Sequence, residues 1–226
     1  MPTGRLEAFS DGVFAIAITL LVLELHVPGA HQVLVRALEH EWPRYLGYFV
    51  SFAFIGGVWI ARSNMTRFIK AADVTLMRLN LILLLFVSFL PFTTGIAATH
   101  LFVSFLTLDQ VTVSTAAERV AVVLFGFNLT AAALMIYLVL RHASRARGVA
   151  SHDVAEDELQ TFARERRTAA ALQAGATAVG GFLPLVAVTF YLAVSLFFIV
   201  DPLRRMRVRA RRPRQPSARV MQDADT

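Results

Sequence analysis

Long apolar runs recur along this chain, and each approaches the roughly 20 residues that an α-helix needs to cross a bilayer core of about 30 Å. The first covers residues 9–25, the second 45–61, the third 74–98 and the fourth 120–140. A further stretch, 168–200, is too long for one span and carries Gly180-Gly181 in its middle, with Pro184 just beyond. A glycine pair punctuates helices, and proline suits the first turn of a new one. The region therefore reads as two helices, 160–180 and 182–201. The fifth is rich in alanine and threonine (TAAALQAGATAV), which suits burial among neighbouring helices better than contact with lipid. The expected fold class is all-α: a polytopic membrane protein with six transmembrane helices. Its domains are expected as a six-helix transmembrane unit, 1–203, and a basic, disordered tail, 204–226.

Composition agrees with this reading and removes others. Hydrophobic residues make up 56% of the 226 and charged residues only 17%, against about 25% charged in soluble domains. A disordered chain is excluded, and a soluble enzyme fits poorly. The chain has no cysteine, so it is neither a disulfide-stapled secreted domain nor a Cys-ligated metal protein.

The formal charge of +6 would point to nucleic acid if it lay on one surface, but its distribution follows topology. Six spans put both termini on one side. That side receives Arg5, the basic residues of 62–78 and 141–167, and the tail beyond Pro202, which together hold 19 of the 22 Lys and Arg. The other side holds Arg36, Arg44 and Arg119. The positive-inside rule then makes both termini cytoplasmic. Trp42, Tyr45 and Tyr48 at the outer start of the second span have the character of interface anchors. The external loop 26–41 contains a periodic piece, VLVRAL, expected as a short interfacial helix, and 101–108 is a short apolar segment. Thr115-x-x-Glu118 forms a capping box before the fourth span. Residues 151–167 place acids first and arginines last, as a helix dipole favours, and read as a soluble extension of the fifth span. The arginine-rich tail is a topology signal, with contact to anionic lipid as the sharper reading.

No catalytic constellation is visible. There is no His-Glu-x-x-His, Walker loop or Gly-x-Ser-x-Gly, and the six histidines are scattered. The Thr-Val-Gly-Tyr-Gly filter of the familiar potassium channels is also absent. No cofactor and no metal centre are expected.

The first helix carries the information. Ionisable residues inside a membrane are costly and mark function by default. Asp11 stands at the start of the first span, after Ser10, with Glu7 and Arg5 nearby. At about 100° per residue, Phe9, Ile16, Leu20 and Leu23 fall in a stripe roughly 60° wide, on the side of the helix away from Asp11. Gly12 and Thr19 flank it. The stripe suits packing against another helix, and it equally suits a pore lining in a symmetric oligomer, where aliphatic rings make hydrophobic constrictions. Asp11 and Arg5 fit a structural ion-pair or capping network, or else an ion or proton site.

Arg5-x-x-x-Phe9-Ser10-Asp11, continuing as GVFAIAITLLVLEL, resembles the signature first helix of the transmembrane protein 175 family. RLNLILLLFVSFLPFTTGIAA, residues 78–98, is similar to the third span of its prokaryotic members. The resemblance is specific at these two places and elsewhere rests on hydropathy. It implies a potassium-selective leak channel of one six-helix repeat, homotetrameric, in the cell (inner) membrane of a prokaryote, with potassium as the permeant ion. The first helix of each subunit would line the pore. Ile16 would form the main constriction, Leu20 and Leu23 the next rings, and Thr19 would add a hydroxyl there. Arg5, Phe9, Ser10 and Asp11 match the motif held to organise helix packing, with Trp59 and Asn80 expected as its polar partners. The alternative from another class is a secondary or proton-coupled transporter using Asp11. A non-conducting membrane scaffold is a third reading.

Overall fold

Each apolar run folds as a helix because the bilayer leaves no other way for a single segment to pair its own backbone groups. In the computed structural model the described residues are 3–25, 35, 38–39, 41–66, 73–102, 115–145, 156–183 and 186–197. Six helices stand out among them. Helix α1 (Thr3–Leu21) tightens into a 3₁₀ turn, Val22–Glu24. Helix α2 is Trp42–Thr66, and α3 is Val74–Ala97, which passes into a π-helical turn, Ala98–Phe102. Helices α4 (Thr115–Arg145), α5 (Glu156–Gly180) and α6 (Val186–Phe197) follow. The described residues are all-helical, and the chain is a multi-pass membrane protein.

Helices α1 to α4 are each long and apolar enough to cross a membrane. Helix α5 does not meet that test, because its first turns come from the charged stretch that precedes the fifth span. The helices outrun their apolar cores. Helix α4 has 31 residues where the run 120–140 was expected, and at 1.5 Å per residue it is about 46 Å long, well beyond the hydrocarbon thickness. It starts at Thr115, where the capping-box pattern begins. Most of the loop 26–41 and of segment 101–108, and the whole tail 204–226, lie outside the described residues.

Helix α3 is the central strut, packed against α1, α2 and α4, while α4 also packs along α5. Asp73 caps its N-terminus, accepting the Leu76 amide at 2.8 Å. Pro91 lies within the helix and is buried, but the helix continues through it. Around this proline the apolar core is stitched by hydroxyls. Thr93 and Thr94 each donate to the Leu90 carbonyl, Ser51 of α2 pairs with Thr94 at 2.7 Å, and Asn128 of α4 donates to Thr93 at 3.1 Å. Such groups can be buried because every one of these hydroxyls reaches a partner.

Helix α5 presents small residues to the interior: Ala163, Ala169, Ala170, Ala176 and Gly180 are all buried. A side chain at residue 180 would come within 2.7 Å of Val122 Cγ1, so glycine there permits the close approach of α4 and α5. The chain then turns, with the Phe182 and Leu183 amides both donating to the Val179 carbonyl. Tyr191 of α6 is fully buried and meets Phe125 edge-on, closing the packing on this side.

Candidate functional site

Helix α1 has one face turned to the protein and one turned away. Ser10, Phe14, Ala17 and Leu21 follow helical spacing and are buried against the other helices. Phe9, Ile16, Leu20 and Leu23 lie outside that face, and Ile16 and Leu23 are 60% and 72% exposed. The aliphatic stripe is therefore not consumed by packing within the chain. Helix α1 is also the least enclosed of the four long apolar helices: 22% of its most apolar window is buried, against 50–56% for the other three.

Thr19 and Gly12 are exposed beside the stripe. The Thr19 hydroxyl donates to the Ile16 carbonyl at 2.8 Å. Its hydrogen being turned back onto the helix, the oxygen offers lone pairs outward.

The N-terminal half of α1 is tied down by a polar network in which neighbouring residues reach different helices. Ser10 faces α3. Its hydroxyl donates to the Leu6 carbonyl at 2.7 Å and accepts from Asn80 Nδ2 at 2.9 Å. Asp11, one step round the helix, faces α2. Its Oδ1 accepts from Trp59 Nε1 at 3.0 Å and lies 3.5 Å from Arg62 Nη1. Arg62 links both halves: its Nε donates to Asn80 Oδ1 at 3.0 Å, and its Nη2 donates to the Leu6 carbonyl at 3.3 Å. The guanidinium is only 3% exposed, whereas the Asp11 side chain is half exposed. A planar fork of five donors is suited to such a place, since one group on α2 can satisfy several acceptors on two other helices at once.

Ser10, Asp11, Trp59 and Asn80 thus meet at one point. Phe9 does not join them; it is exposed with the stripe. Arg5 is exposed too, and the arginine that reaches Asp11 is Arg62. In the sequence Arg62 counts only among the basic residues of 62–78; α2 runs to Thr66 and carries that residue buried inside the protein. The available signal was the spacing Trp59-x-x-Arg62, which puts both side chains on one helix face. Among the described residues no group of three or more His, Asp or Glu side chains converges as a metal centre would need.

Comparison with known proteins adds to this geometry. The family described as endosomal/lysosomal potassium channel TMEM175 matches residues 5–91, which hold α1, α2 and most of α3. A potassium channel of Streptomyces collinus is 46% identical over 101 residues, covering 44% of this chain and 49% of the relative. This chain thus matches about half the length of that relative. A potassium channel of Chamaesiphon minutus is 34% identical over 170 residues, covering 73% of this chain and 77% of the relative. The crystal structure of a lysosomal potassium-selective channel TMEM175 homolog from Chamaesiphon minutus superposes with a TM-score of 0.73 at 31% identity, over 88% of this chain and 97% of that one.

Proposed function

The chain belongs to the TMEM175 family of potassium channels, and from that premise we propose that it conducts potassium through a pore lined by α1, in a homotetramer. The observation that carries this reading is the exposed stripe. Ile16, Leu20 and Leu23 leave the protein on a face that its own helices do not cover. Around a fourfold axis, four such stripes would make successive aliphatic rings, with Ile16 the main constriction and dewetting there the means of closure. In the cell membrane of a prokaryote, the 19-to-3 distribution of basic residues supports cytoplasmic termini, so that Asp11 lies at the inner end and Leu23 at the outer.

Selectivity follows from hydration. A tight apolar ring strips part of an ion's water, which costs less for potassium than for the smaller, more strongly hydrated sodium. The Thr19 oxygen beside Ile16 replaces some of what is lost. Asp11 serves structure: its carboxylate is engaged by Trp59 and Arg62, which supports a helix-positioning role over that of a coupling site in a carrier.

The test is Ile16→Asn in proteoliposomes or patches. The expected result is a larger potassium current and a reversal potential shifted toward non-selectivity between potassium and sodium. Unchanged currents and reversal potentials would sink the assignment of α1 to the pore.

A further inference from the structure

Among the described residues, the polar network of Ser10, Asp11, Trp59, Arg62 and Asn80 holds α1 at its inner end. At the outer end the 3₁₀ turn Val22–Glu24 carries Glu24 onto α3 beside Gly95. The three atoms nearest to where a Cβ would stand on residue 95 all belong to the Glu24 carboxyl group, with its Cδ at 2.8 Å. The carboxyl group thus occupies the space that any side chain at 95 would need. Ser10 meets Asn80 and Glu24 meets Gly95, so α1 and α3 run parallel. The two meeting points are about 20 Å apart along each helix, at 1.5 Å per residue.

We infer that Glu24 is the outer anchor of α1, seated in a notch on α3 that exists because residue 95 has no side chain, and that this seat positions the Leu23 ring. The inference rests on α1 lining the pore. Glu24 is a positioning residue: it acts through Leu23, its neighbour in the same turn, whose side chain is the most exposed of the stripe. A methyl group at 95 would collide with the end of a flexible side chain rather than with backbone. Alanine also suits a helix better than glycine. Gly95→Ala should therefore leave α3 intact and displace the carboxylate, turning Leu23 with it.

The chain lacks cysteine, so Glu24→Cys with Gly95→Cys introduces the sole thiol pair. A short thiol-to-thiol reagent should cross-link it in membranes. In single-channel recording, Gly95→Ala should change the unitary potassium current. Glu24→Ala with Gly95→Ala should match Glu24→Ala alone, because without the carboxylate the methyl has room. No cross-link, a Gly95→Ala current equal to wild type, or a methyl effect that persists without the carboxylate would each overturn the anchor. Ile16→Asn, recorded alongside, separates the two readings. If it changes the current while the anchor tests fail, the anchor alone is wrong. If it has no effect while the cross-link forms, the pore reading is wrong and the role in positioning the ring falls with it.

Discussion

Arg62 shows how one side chain can change the meaning of a motif. Its charge is nearly inaccessible, and it ties Asp11, Asn80 and the Leu6 carbonyl together. Removing a partner from such a group strands the others, at about 1–3 kcal/mol for each buried polar group left unpaired. Arg62→Ala should therefore lower the thermal stability of the purified protein in detergent by several degrees or more, while Arg5→Ala, at an exposed position, should change it little. Equal effects of the two substitutions would contradict the central place given to Arg62. The residues that meet here were only partly legible in the sequence. Ser10 and Asp11 stand out as polar groups in an apolar run. Trp59 and Asn80 came with the family resemblance. Arg62 was hidden because a basic residue near the end of an apolar run reads equally as a topological charge or as a buried ligand. Only the length of α2 separates the two.

At the level of the helix, α3 depends on its N-terminal cap. The Asp73 carboxylate accepts the Leu76 amide and meets His142 Nε2 of α4 at 2.7 Å. The Leu76 amide first, and His142 second, hold its carboxyl below the usual carboxylate range. A depressed pKa in the folded state means that the ionised form stabilises the fold above the unfolded-state pKa, and that this contribution is lost as pH falls through the folded value. Thermal stability should thus fall on acidification below about pH 4, the ordinary aspartate range, and Asp73→Asn should flatten that acid limb. Asparagine is also a good helix cap, so the substitution removes charge rather than the cap. An unchanged acid limb in Asp73→Asn would show that the pair contributes nothing. The helices themselves were legible as apolar runs, but their ends were not. Polar turns such as those that extend α4 beyond 120–140 continue a helix without any hydrophobic signal.

For the whole molecule, the decisive feature is what a single chain leaves uncovered. An exposed aliphatic stripe on α1, the least enclosed of the long apolar helices, is completed in the proposed channel by three further copies. In mild detergent the assembled protein is expected at four times the 25.0 kDa chain mass, measured by light scattering with the detergent contribution subtracted. A monodisperse monomer that still conducts would rule the tetramer out. Asp11→Ala, which frees Trp59 and Arg62 at the root of α1, should reduce the assembled fraction. A fully assembled variant with altered permeation alone would move Asp11 from structure to the conduction path.

Hydrophobicity and charge act along the chain, which is why spans, turns and family were readable from residue order. The run lengths prescribe helices because a bilayer accepts no unpaired backbone. The periodicity on residues 9–23 separates an aliphatic stripe from Asp11 before any fold is known. Residue order does not say which stripe stays uncovered, which of several arginines reaches Asp11, or that a glycine on α3 makes room for Glu24. Those outcomes depend on how helices distant in sequence approach one another, and so they emerge only when burial and distance are set by packing in three dimensions.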